Sequence, residues 1–294
     1  MNRFKIFFSA FFIVFLCCAF AKADEEIKYP DNDCGAGMAS NFFITGFKEY
    51  PPFTWSERIK YDSDIKEYRG LVSDLVRAAL KNMNITRIKD LFFDDFLQAQ
   101  KAVLRGKADL LFTSYYTNDT TSGQDYIYPA YFGNPFIVVS RASRKIDVED
   151  VSGLKGMKGV IRREEEVENL IRGILPTDTK LEVVDGPEIA FRKLLSGEVD
   201  FMITSPYAAD AEARRFKVKD KVYYGKKVLR HIKYFAAFSK LSECRKYKTL
   251  FATKFKEQLK DKATMESRMQ EYIKKWEEKH KDDPPLEYQP PEGE

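Results

Sequence analysis

The sequence predicts an α/β protein of two lobes, each a mostly parallel sheet flanked by helices, facing one cleft. Three observations carry this. The stretch Ala108-Asp109-Leu110-Leu111-Phe112-Thr113-Ser114 returns in rhythm as Val199-Asp200-Phe201-Met202-Ile203-Thr204-Ser205. Each copy follows a helical pattern and a glycine turn (Arg105-Gly106-Lys107, Ser196-Gly197-Glu198) and ends in small hydroxyl residues. Strand and helix patterns alternate along the chain, as parallel sheets with right-handed crossovers require. The length, 294 residues, suits two units of ordinary domain size. Ligands of open α/β sheets bind at the carboxyl ends of strands, so two such strand ends point to a cleft for a small molecule.

The elements follow in chain order. Arg3 and Lys5 precede an apolar run over residues 6–21, and Ala21-Lys22-Ala23 has the small-x-small form of a cleavage site. Residues 1–23 are expected to be a secretory signal peptide, since the apolar run is shorter than the ~20 residues that span a bilayer. Cys17 and Cys18 stand where a lipidated cysteine would, but Phe15-Leu16 lacks the small residue that lipidation needs. Residues 41–47 read as a strand broken at Gly46, and Tyr50-Pro51-Pro52-Phe53-Thr54-Trp55 as an extended loop, because proline cannot donate to a ladder. Leu71, Leu75, Ala78 and Ala79 share one helical face, and a second helix over 95–105 closes at Gly106 before the buried strand 108–112. Residues 118–124 are polar and irregular. Residues 136–139 read as a strand, and Gly133-Asn134-Pro135 marks a change of lobe.

A new unit opens at 154–161, followed by a helix near 164–173, a strand at 180–184, a helix at 187–195 and the strand 199–203. A polar helix follows Tyr207, and a strand over 233–238 carries the chain back. Helices are expected over 241–259 and 263–279, with Met269, Ile273 and Trp276 as a core stripe. Residues 282–294 are rich in Pro and Glu and are expected to be disordered. The domain reading is therefore lobe one from 24–132 and 233–281, and lobe two from 133–232.

Removing the leader takes Arg3, Lys5 and Lys22 and lowers the net charge from +4 to +1, which gives no electrostatic case for nucleic acid. Cys34 and Cys244 then remain in an oxidising compartment, where one disulfide between them is the natural inference and two unrelated thiols the alternative. His231 and His280 are the only histidines, too few and too far apart for zinc or triad chemistry. No metal or other cofactor is expected. Asp109 and Asp200 read as structural. Asn84-Ile85-Thr86 and Asn118-Asp119-Thr120 match a glycosylation pattern that is common by chance.

In order, Tyr50-Pro51-Pro52-Phe53, Gly70-x-x-x-Asp74-Leu75, Gly106-Lys107-Ala108-Asp109-Leu110, the segment from Thr117 to Tyr131, Leu154-Lys155-Gly156, Leu194-Leu195-Ser196-Gly197-Glu198-Val199-Asp200 and Ile273-Lys274-Lys275-Trp276 resemble the type 2 periplasmic solute-binding proteins. The resemblance is to the amino-acid-binding group, family 3 of the bacterial extracellular solute-binding proteins. It implies two lobes joined by two crossover strands, a monomer that hands a small solute to an ABC permease, and hinge closure around the ligand. It also implies charged anchors that this chain lacks. The arginine that holds a ligand carboxylate falls on Thr121 or Ser122, and the aspartate that holds the ammonium falls on Ser205. An unpaired charge in a closed cleft costs several kcal/mol, so an ordinary α-amino acid is disfavoured.

Where the resemblance implies a Gly-Thr turn, this chain has Arg162-Arg163-Glu164-Glu165, a guanidinium fork suited to carboxylate or phosphate. The competing reading pairs Arg162 and Arg163 with Glu164 to Glu166 on the surface. Tyr50, Trp55, Phe96 and Tyr116 supply candidate stacking faces, with Thr113, Ser114, Thr117, Thr121, Thr204 and Ser205 as neutral hydrogen-bond partners. Three functions compete: a solute-binding protein, an enzyme on the same fold resembling dehydratases of cyclic acids with Glu49, Asp119 or Glu164 as its carboxylate, and a lobe pair that has lost solute binding.

Overall fold

The structure is a computed structural model that describes residue 34 and residues 41–59, 65–116, 122–163, 165–259, 262–291 and 293. The expected signal peptide, Thr117, Asp119, Thr121 and Glu164 lie outside the described residues. The first half of the chain forms β1 (Phe42–Thr45), β2 (Glu49–Tyr50), β3 (Thr54–Arg58), β4 (Lys66–Arg69), α1 (Leu71–Lys81), β5 (Ile88–Asp90), α2 (Phe96–Leu104), β6 (Leu110–Tyr115), β7 (Gln124–Tyr126) and β8 (Phe132–Arg141). Then come β9 (Lys158–Arg162), α3 (Glu165–Arg172), β10 (Lys180–Val184), α4 (Pro187–Leu195), β11 (Phe201–Thr204), α5 (Pro206–Arg215), β12 (Val222–Ser239), α6 (Lys248–Gln258) and α7 (Lys262–Lys279).

One sheet runs through both lobes in the order β10-β9-β11-β8-β12-β6-β1-β5, with β7 paired to β12. At its two ends the pairs β1–β5, β1–β6, β9–β10 and β9–β11 are parallel, whereas β8 and β12 run antiparallel to each other and to their neighbours. This is the two-lobed type 2 fold, with β8 and β12 as the crossover strands. The two repeated motifs end up equivalent. Gly106 and Gly197 take positive φ values of 71° and 78°, the left-handed turn that glycine adopts at least cost. Asp109 then accepts from the Phe43 amide at 2.7 Å and Asp200 from the Lys158 amide at 2.9 Å. Each aspartate ties its turn to the first strand of its lobe, the structural role expected of it.

Four sequence expectations need correction. Gly133-Asn134-Pro135 lies inside β8 rather than between elements, with Pro135 opposite His231 of β12. The returning strand begins at Val222, eleven residues earlier than expected, because the basic run 226–233 concealed its apolar pattern. The stretch 241–247 contains a 3₁₀ turn at Glu243–Tyr247 and α6 starts only at Lys248. The tail, expected to be disordered, packs along lobe two: Leu286 donates its amide to the Phe216 carbonyl at 3.1 Å and joins the core cluster of Phe191, Phe216 and Val218. Lys217 Nζ reaches the Asp283 carbonyl at 2.7 Å, and Arg192 the Glu287 carbonyl at 3.3 Å. A Pro-rich segment too polar to build a core can still lay two apolar side chains, Leu286 and Tyr288, onto one that already exists.

Cys34 and Cys244 form a disulfide, with Cα atoms 5.4 Å apart. Among the described residues no helix is long and apolar enough to cross a membrane.

Candidate functional site

The crossover strands bring the strand ends of the two lobes face to face. Rings from β2 and the turn after it, from β6, from the start of β8 and from β12 form a tight set. Tyr50 stacks on Phe53 at 5.5 Å between centroids, and Phe53 meets Phe132 at 5.1 Å and Tyr234 at 6.3 Å. Tyr207, from the first turn of α5 in lobe two, closes on Phe53 and Phe132 at 6.2 and 6.0 Å. A hydrogen-bond relay runs through these rings. Ser205 Oγ donates to Asn134 Oδ1 at 2.7 Å, Asn134 Nδ2 donates to the Tyr50 hydroxyl at 2.9 Å, and the Tyr115 hydroxyl donates to that of Tyr234 at 3.0 Å. Such a network, fully inside the protein, fixes one arrangement of the cleft because each unmade bond would strand a buried polar group.

Beside the relay lies a cavity of about 30 Å³, bounded by Tyr50 and Pro51 of lobe one and by Arg162, Thr204, Ala208 and Glu212 of lobe two. That is room for about one water, far below the roughly 300–1,000 Å³ of ligand pockets. Arg162, at the carboxyl end of β9, carries its guanidinium 5.9 Å from the centre of the Tyr50 ring. No carboxylate lies within ion-pair distance of it among the described residues. Glu212, from α5, is buried, and burial pushes its carboxyl up to about 7, with the Glu49 charge adding to the rise and Arg215 and Arg162 opposing it.

The two lobes meet through salt bridges as well as rings. Arg215 of α5 pairs with Glu49 of β2 at 2.9 Å and lies 3.5 Å from both Glu212 and Asp283. Arg214 pairs with Glu277 of α7 at 2.9 Å, and the Tyr207 hydroxyl donates to Glu266 at 3.2 Å.

Of the candidate site residues, the structure brings together Tyr50, Arg162 and Ser205, with Thr204 on the cavity wall. It places the others elsewhere. Trp55 packs against Tyr272 and Trp276 of α7, at 6.2 and 5.4 Å, because the β2–β3 pairing puts it on the α7 side of lobe one. Thr113 accepts from the Phe47 amide at 3.0 Å, and Ser114 donates to Gln124 at 2.6 Å, so both hydroxyls are used inside lobe one. Phe96 stacks on Phe47 at 4.0 Å and meets Tyr115 edge-on at 5.7 Å, behind Tyr50 rather than on the cavity wall. Tyr116 is half exposed beside Tyr126 and Tyr128. Arg163 is exposed and pairs with Asp185. The guanidinium fork is thereby split, one arm in the cleft and one on the surface. Glu49, a candidate catalytic carboxylate, is held by Arg215.

Asn134, Tyr207, Glu212, Tyr234 and Arg215 escaped the sequence reading. Asn134 lay in a Gly-Asn-Pro string that reads as a turn, and Glu212 in a helix whose polar pattern reads as solvent-facing.

No family model matches the chain, and no curated protein matches its sequence. Solved structures do. The GluR0 ligand-binding core in complex with L-glutamate superposes with a TM-score of 0.64 at 14% identity, covering 82% of this chain and 99% of that one. An ancestral arginine-binding protein bound to arginine gives 0.61 at 19% identity, with 82% and 99% covered. The substrate-binding protein of an amino acid ABC transporter gives 0.59 at 16% identity, with 81% and 99% covered. The chain therefore has the type 2 periplasmic-binding-protein fold, complete over the length of these neighbours. Likeness at such identities speaks to the fold.

Proposed function

We propose that the protein is an exported solute-binding protein whose lobes close on a small anion-bearing solute at Arg162 and present it to an ABC importer. The observation that carries this reading is the Arg162 guanidinium, set at a strand end over the Tyr50 ring and without an ion-pair partner among the described residues. A half-buried cation in a cleft is stabilised by a partner of opposite charge, and guanidinium offers a carboxylate two parallel donors. Residues 1–23 act as the signal peptide, which places the mature protein in the periplasm or outside the cell. The neighbours, proteins that bind amino acids and a ligand-binding core, support a binding role over an enzymatic one. An α-amino acid held by the two anchors that the family resemblance implies remains disfavoured, because Ser205 is bonded to Asn134. In the closed arrangement described, the solute's space is taken by the protein's own rings, so binding requires the hinge to open first.

A second reading is favoured by that same self-filling: a lobe pair locked shut that binds proteins instead of solutes. One experiment separates them. Native mass spectrometry of the purified protein is followed by a thermal-shift screen of mono- and dicarboxylates, amino acids, peptides and nucleotides on the wild type and Arg162→Ala. A solute at one hundred times its Kd stabilises by about 2.7 kcal/mol, a shift of several degrees. The expected result is a shift by an acid-bearing class in the wild type that disappears in R162A. No bound mass and no shift by any class would overturn the solute reading in favour of the second.

A further inference from the structure

Pro284, Pro285, Pro290 and Pro291 fix φ along the end of the chain, so this segment loses less conformational entropy on docking than a flexible tail would. Docked, it is an element of lobe two. Leu286 is 9% exposed on the Phe216 core, and Lys217 and Arg192 hold the Asp283 and Glu287 carbonyls. Its far end sits on the turn glycine of lobe two: a Cβ on Gly197 would lie 2.7 Å from Pro291, so the missing side chain makes the seat. Cavities of about 310 and 420 Å³ run along the tail, the first bounded by Arg192 and Pro285, the second by Leu195 and Tyr288. The tail therefore touches lobe two across gaps, without the dense contact of a core strand or helix, and can leave it without unfolding the lobe. The residues just before it are fixed to lobe one. Trp276 of α7 packs on Trp55, and the Tyr272 hydroxyl donates to Asp74 of α1 at 2.6 Å. The His280 ring lies 4.1 Å from that of Trp276, and its Nδ1 is 2.7 Å from Asp283, which also lies 3.5 Å from Arg215 of α5. Residues 280–286 thus pass from lobe one to lobe two, a third crossing besides β8 and β12.

We infer that residues 282–291 are a strap that holds the two lobes shut, and that the cleft opens only when the strap leaves lobe two. β8 and β12 are neighbours in the sheet and can bend together as one hinge. The strap crosses outside the sheet, beside α5 and α7, where it opposes a rotation that two adjacent strands permit. The other ties between α5 and lobe one are Arg214–Glu277, Arg215–Glu49 and Tyr207–Glu266, partly exposed polar pairs of the kind that contribute little one by one. The strap adds what they lack, an apolar side chain seated in the core of one lobe and joined by a short stretch of chain to a helix of the other.

The test measures the distance between lobes in residues 24–294 without added ligand, by electron–electron resonance between spin labels at Lys48→Cys and Asp185→Cys. Both positions are exposed and follow the strands β1 and β10, one in each lobe, while the native Cys34 and Cys244 are bonded to each other. Three chains are compared: the full tail, a chain ending at Lys281, and a chain with eight Gly and Ser residues inserted between Lys281 and Asp282. The insertion adds roughly 26–29 Å of reach and leaves Leu286 able to dock. The full tail is expected to give one short distance, with an open form at about a tenth or less. Both altered chains should raise the open fraction at least about threefold. A largely open full-length chain, or a truncated chain with an unchanged distance, overturns the strap. So does opening in the truncated chain alone, because the tail would then act by completing the core of lobe two and not by tying the lobes. Where the truncated chain fails to fold, the inserted chain decides by itself: a raised open fraction supports the strap, and an unchanged one overturns it. The lobe distance is read without a ligand, so each outcome leaves both readings of the cleft as they stand.

Discussion

The two walls of the cleft are built on different principles. Lobe one offers rings and hydroxyls whose hydrogen bonds are made within the protein: Tyr50, Phe53 and Tyr234 around the Asn134 relay. Lobe two offers charge, with Arg162 and Glu212 each lacking a full partner. The contrast extends to the buried acids. Asp90 of lobe one keeps a direct ion pair with Arg77, though burial still pushes it up to about 6, whereas Glu212 has only a shared contact with Arg215 and rises to about 7. Lobe one is finished by a disulfide, lobe two by the tail that lays Leu286 on its core. A wall of satisfied neutral groups costs nothing to keep shut. A wall of unsatisfied charges is stable only because its neighbours are, which is the usual mark of a site shaped for a ligand.

The largest effect that would break this comparison comes from the disulfide. It closes a loop of 210 residues, for which chain entropy alone gives roughly 5 kcal/mol. Cys244→Ser, or reduction of the wild type, is expected to lower the melting temperature by ten degrees or more, and an unchanged transition would show that lobe one does not depend on its staple.

Next in size is Glu212. Its folded carboxyl titrates near 7 against an ordinary 4.5, so the folded state binds more protons than the unfolded one between those values. Stability therefore falls as pH rises through that window, by about 3 kcal/mol at most, and stays lowered above it. Glu212→Gln should flatten this slope and raise stability at pH 8 by about 1–3 kcal/mol, read from urea unfolding of both proteins across pH 4.5–8. An identical slope in the two would mean that Glu212 finds a partner in solution.

The smallest is the tail: Leu286→Ala should cost about 2 kcal/mol, seen as a lower midpoint with lobe two amides losing hydrogen-exchange protection first. Protection lost evenly in both lobes would show that they unfold as one unit and that the difference between them is confined to the cleft.

Much of the fold was legible in the residues. The repeated Gly-x-x-Asp motifs and the alternating patterns located most of the helices and lobe strands, because each lies in a local run of apolar residues with a turn at its end. The hairpin of β3 and β4 was not legible, since Glu57, Arg58, Lys66 and Glu67 carry no apolar alternation and are paired only across the ladder. Neither was most of the site. Tyr50 and Arg162 stood out by composition and position, but Asn134, Tyr207 and Glu212 look ordinary in sequence and matter only because β8 and α5 carry them to the same place.

By itself the sequence determined the class of fold, the two matching turns and the structural rather than ligand-binding role of Asp109 and Asp200, because these follow from periodicity and from a motif repeated in each lobe. The tertiary structure alone decided which arm of the Arg162-Arg163 pair faces the cleft, that Trp55 serves α7 rather than a ligand, that the tail packs, and that Glu212 is buried. Those outcomes depend on how two distant segments meet across the crossover strands, and no local pattern of residues records the far side of a contact.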